Sequence, residues 1–98
     1  MASYLMLTQW TKEGIEHVKK SPERLDEARE IARGLDVEIK QFYLLMGHRY
    51  DNAVLLEAPD DQAAAKFALT IGSKGNIRTE TLRAFTEDEY RRITQSIE

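Results

Sequence analysis

The sequence predicts an α+β domain: one antiparallel four-stranded sheet with helices on one face and a further helix at the end. Three observations carry this expectation. The stretch from Gln41 to Pro59 holds two short apolar runs, Phe42-Tyr43-Leu44-Leu45 and Val54-Leu55-Leu56, read as two strands joined by a tight polar turn. The segments around it complete the order strand, helix, strand, strand, helix, strand, helix. The strand runs are apolar on both faces instead of strictly alternating, which marks strands covered on two sides.

Tyr4 to Trp10 reads as the first strand, apolar on both faces as far as Thr8. Thr11 starts a short helix that carries Gly14, Ile15 and Val18. Ser21-Pro22 interrupts it, with Ser21 suited to a helix cap, Pro22 to the first helical position and Glu23 to the positive helix end. A second helical segment then runs to about Arg33. Leu25, Ala28, Ala32 and Leu35 form its buried stripe at spacings of three and four, and Gly34 is a natural terminator. The second strand spans Val37 to Met46. Gly47 is expected to supply a positive-φ position in the turn, with His48 and Arg49 at the exposed tip.

The third strand runs from about Tyr50 to Glu57 and is closed by Pro59, which donates no ladder hydrogen bond. Asp60 caps the next helix, whose residues Ala64, Phe67, Ala68 and Ile71 fall at i, i+3, i+4 and i+7 and face a sheet. Gly72 to Asn76 ends it. Ile77 to Phe85 is the fourth strand. Thr86 and Glu89 form a capping box for a tail helix with Tyr90, Ile93 and Ile97 on its apolar side. This order is the split βαβ, ferredoxin-like arrangement in a single domain, residues 1–98. The apolar residues on the sheet face away from the helices need a cover, and a second copy is the economical one.

Composition narrows the function. The 98 residues suffice for one domain, and the formal charge of −3 gives no broad positive field for nucleic acid or an anionic membrane. With no cysteine, disulfides, thiolate metal sites and cysteine nucleophiles are excluded. No apolar run approaches the roughly 18 residues of a membrane span, and the start Met1-Ala2-Ser3-Tyr4 carries no signal-peptide pattern. The expectation is a cytoplasmic protein.

Several features together resemble the GYD-domain family of the dimeric α/β-barrel superfamily. They are Thr11 with Gly14, Ser21-Pro22 with Arg24 and Ala28, Glu57-Ala58-Pro59-Asp60, and Gly75-Asn76-Ile77-Arg78-Thr79-Glu80-Thr81-Leu82. Gly47 followed by Tyr50-Asp51 belongs with them. The naming motif, usually Gly-x-Tyr-Asp, stands here as Gly47-His48-Arg49-Tyr50-Asp51, one residue longer. The resemblance implies a ferredoxin-like protomer that pairs sheet to sheet into a dimeric α/β barrel. It implies no particular activity, because the superfamily includes monooxygenases, isomerases, haem enzymes and ligand-sensing domains.

Six residues stand out as candidates to line a ligand site: Tyr43, Tyr50, Asp51, Thr79, Thr81 and Arg83. Asp51 beside Tyr50 suits a base with an orienting phenol; the competing reading has Asp51 fixing the turn through backbone N–H groups. Thr79, Thr81 and Arg83 share one face of the fourth strand, with Arg78 and Glu80 on the other. They either line a polar pocket that meets an anion or mark a solvated edge strand. Glu13 and His17 are four apart on a helix, but the one other histidine, His48, is distant, and no metal site is expected. Gly72-Ser73-Lys74-Gly75 follows a helix instead of opening one, so it is no phosphate loop.

The functional expectation is a small-molecule-binding homodimer or higher homo-oligomer whose ligand and cofactor are unassigned. The alternatives are an interaction module without a ligand and a cofactor-independent monooxygenase- or isomerase-like enzyme.

Overall fold

A computed structural model describes all residues, 1–98. Its strands are β1 (Ala2–Trp10), β2 (Glu38–Leu44), β3 (Asn52–Ala58) and β4 (Ile77–Ala84). They form one antiparallel sheet in the order β2-β3-β1-β4. The helices are α1 (Lys12–Glu16), α2 (Ser21–Gly34), α3 (Asp61–Ser73) and α4 (Glu87–Gln95), with a 3-10 turn at Val18–Lys20 between α1 and α2. This is the ferredoxin-like arrangement that the element order predicts. The single chain leaves its sheet open and closes no barrel.

Side chains alternate across the sheet, so each strand has a helix face and an open face. Tyr4, Met6 and Thr8 of β1 and Asn52, Val54, Leu56 and Ala58 of β3 are buried on the helix face. Ala32 of α2, Ala64 and Phe67 of α3, and Val37 complete the core above them. On the open face the register aligns Leu5 with Leu55 and Leu82, Leu7 with Ala53, and Ala53 with Tyr43. This apolar strip has nothing over it, and Tyr43 and Leu82 at its two edges are 56% and 45% exposed.

Local chemistry explains most boundaries. Thr11 caps α1, its side chain accepting from Gly14 N at 3.0 Å. Asp60 caps α3 through Ala63 N at 2.8 Å. The Thr86–Glu89 capping box opens α4 with both of its hydrogen bonds formed. α4 nevertheless buries none of its residues, and Tyr90, Ile93 and the following Ile97 lie exposed.

Some expectations need correction. Ser21 begins α2 and leaves the cap position to Lys20, because the chain enters through the 3-10 turn already coiled. The β2–β3 connection is wider than a tight hairpin turn: Leu45 N donates to Asp51 O at 2.7 Å around the whole Leu45–Asp51 loop. Gly47 does not have a positive φ; the residues that do are Asp36 and Gly75. What Gly47 offers is clearance, since a Cβ there would lie 3.2 Å from Tyr50 O. β2 also carries an irregularity between Ile39 and Gln41, which shifts its register against β3 by one residue.

Candidate functional site

The helices do not fill the space above the sheet. Between α2, α3 and the helix face lies a cavity of about 390 Å³, within the usual range for a small-molecule site. Its buried floor is Met6, Thr8, Asn52 and Val54, with Phe67 of α3 above. Leu25, Ala28 and Ile31 of α2 form one wall, and Ile71 of α3 contributes to another. Val18, Phe42 and Leu44 are exposed apolar residues of the rim. Lys74, at the end of α3, meets Glu27 of α2 at 3.1 Å and bridges the two helices there.

The floor has one polar point. Thr8 Oγ1 donates to Asn52 Oδ1 at 3.0 Å across two adjacent strands. These are the two buried polar side chains of the chain, 3% and 5% exposed. β-Register brings them together: Thr8 of β1 stands opposite Asn52 of β3, forty-four residues away. One end of the Asn52 amide is used on Thr8, and no protein group hydrogen-bonds the other end.

None of the six residues singled out from the sequence lines this cavity. Tyr43 lies on the open face beside Ala53. Asp51 joins strand ends: its Oδ2 accepts from Trp10 N at 2.9 Å and its backbone N–H donates to Thr8 O at 2.8 Å. Tyr50 donates its hydroxyl to the Glu80 carboxylate and lies under the Arg49 guanidinium, 5.6 Å from its ring centre. The hydrogen bond to Glu80 raises the Tyr50 pKa above its ordinary value. Tyr50 and Thr79 do share a second, smaller hollow of about 170 Å³ with Arg49, Arg78 and Glu80.

Thr79, Thr81 and Arg83 occupy the helix face of β4, opposite Thr8, Met6 and Tyr4. Thr81 Oγ1 is buried without a hydrogen-bond partner. The Arg83 guanidinium donates to Ser3 O at 3.1 Å, lies over the Phe85 and Tyr4 rings and meets Glu89 at 3.9 Å. Next to it, burial first and then the hydrogen bond to Asp61 push the Tyr4 phenol up to about 12. The six therefore divide into a β4 row, a charged hollow at Tyr50, a strand joint at Asp51 and an open-face tyrosine.

Sequence reasoning missed Thr8 and Asn52. The signal was present, since each is a polar residue in step with buried apolar neighbours: Met6 two before Thr8, and Val54 two after Asn52.

Comparison with known proteins adds two findings. A profile of the GYD domain matches residues 4–94. Over 85 residues the chain is 33% identical to the glutamine synthetase and cystathionine beta-lyase binding protein of Thermus thermophilus, covering 86% of this chain and 88% of that one.

Proposed function

This chain belongs to the GYD-domain family, and we propose that it is a cytoplasmic small-molecule-binding homodimer. Each copy holds its ligand between helices and sheet, and the two copies pair through their open sheet faces. The observation that carries the reading is the 390 Å³ cavity, apolar at its walls and polar at one buried point. A space of that kind leaves the apolar surface of α2, α3 and the sheet facing water, which is costly in so small a core. A ligand offsets that cost. The uncovered strip of Leu5, Leu7, Ala53, Leu55 and Leu82 supports the pairing.

A second reading has its own observations. The Thermus relative is named for binding two enzymes, and α4 presents Tyr90 and Ile93, with Ile97 beyond its end, to solvent. On this reading the chain docks onto an enzyme through that helix.

Native mass spectrometry of the purified protein, alone and with added glutamine synthetase, tests both. The small-molecule reading expects a dimer carrying extra mass that denaturation releases. A bare dimer that adds to glutamine synthetase favours the docking reading. A bare monomer that ignores the enzyme overturns both.

A further inference from the structure

The lining of the cavity narrows the class of molecule it takes. Resting on the small-molecule reading above, we propose that the ligand is uncharged and mostly apolar and carries one hydrogen-bonding group, as an alcohol or ketone does. That group lies against the Thr8–Asn52 pair.

Two features set this chemistry. Asn52 is 5% exposed, lines the cavity and keeps one end of its amide without a protein partner. That end stays reachable from the cavity, and a single hydroxyl or carbonyl oxygen from a ligand pairs with it. Asn52 Oδ1 is taken by Thr8, so the free end is Nδ2, which donates to a hydroxyl or carbonyl oxygen. Met6, Val54 and Phe67 around it accommodate only apolar surface.

The charged lining offers the buried floor no counter-charge. Glu27 and Lys74 are engaged with each other at 3.1 Å. Arg24 directs Nη1 to Gly14 O at 3.4 Å. None of the three is among the buried residues. An ion drawn down to the floor would lose its water with no opposite charge beside it, which disfavours a carboxylate or an ammonium.

The test is an NMR titration of the ¹⁵N-labelled protein with 1-octanol and, separately, with octanoate. The reporters are the Asn52 side-chain amide and the indole of Trp10, the sole tryptophan and a lining residue. 1-Octanol is expected to shift both resonances saturably, with octanoate at least tenfold weaker. Asn52→Leu should weaken 1-octanol about three- to tenfold, the loss of one hydrogen bond. Ala28→Phe, which fills the cavity from α2, should abolish binding; should Asn52→Leu not fold, this variant and the wild-type amide shift decide.

Octanoate binding as tightly as 1-octanol overturns the proposed ligand class and leaves the small-molecule reading standing. If neither probe shifts the two reporters, both are overturned. Saturable 1-octanol binding that survives Ala28→Phe unchanged places the probe elsewhere and also overturns the proposal.

Discussion

Tyr4 shows how one residue ties sheet to helix. Its ring is 4% exposed in the core, and its hydroxyl donates to the Asp61 carboxylate in the first turn of α3. Burial, then that hydrogen bond, raises its pKa from 10.0 to about 12. In the unfolded chain the phenol ionises near the ordinary value, so between the two the folded state holds a proton that the unfolded state has lost. The stabilisation is fully present below pH 10 and is lost as pH rises towards 12. Urea unfolding of Tyr4→Phe across that range should show a flatter fall of stability with pH than the wild type; an equally steep fall would remove Tyr4 as its cause. Caps at Asp60 and Thr86 were legible in the sequence because their partners lie three residues away. The Thr8–Asn52 pair was not, because it exists only once the register of β1 on β3 is fixed.

At the scale of elements, α1 sits where it does because of Gly14. Thr11 N donates to Asn76 O at 3.0 Å, and Thr11 Oγ1 donates to Gly75 O at 2.7 Å, fastening the helix start to the entry of β4. Gly14 is buried at this joint, and a Cβ there would collide with the Asn76 carbonyl, whose carbon would lie 2.9 Å away. The blocking atoms are backbone and cannot swing aside. Gly14→Ala should therefore cost about 1–3 kcal/mol, read as a fall in Tm of roughly 4 °C or more; an unchanged melt would show that α1 relocates freely. Thr11 with Gly14 and Gly75-Asn76 are separate features in the sequence, and in the fold they are two sides of one joint. The strands and helices themselves were legible from apolar spacing. The irregularity between Ile39 and Gln41 in β2 was not, since nothing in Glu38-Ile39-Lys40-Gln41 breaks the strand pattern locally.

The molecule as a whole is under-buried. Only 12 of 98 residues are buried, and the radius of gyration of 14.6 Å exceeds the roughly 13 Å of a compact domain this size. A second copy over the open face would bury the strip around Leu55, which stands between Leu5 and Gln41 in the register. Leu55→Glu places a charge there and leaves the helix face untouched. Sedimentation velocity should show the wild type as a dimer and this variant as a folded monomer by circular dichroism; a wild-type monomer at micromolar concentration would sink the pairing. Fold order was legible because each element announces itself over a few residues. The cavity was not, because it is the volume left where α2, α3 and the sheet do not meet.

The loop between β2 and β3 is held at its root. Asp51 binds Trp10 N and Thr8 O, and Leu45 closes on Asp51. Between these anchors Met46, Gly47, His48 and Arg49 are exposed. For protein engineering this makes the tip a splice point: an epitope tag or a guest domain entered between Gly47 and His48 hangs from a fastened base, and the strands beneath keep their register. The same slack absorbs the additional residue between Gly47 and Tyr50, since Asp51 is held by β1 and Tyr50 by Glu80 of β4.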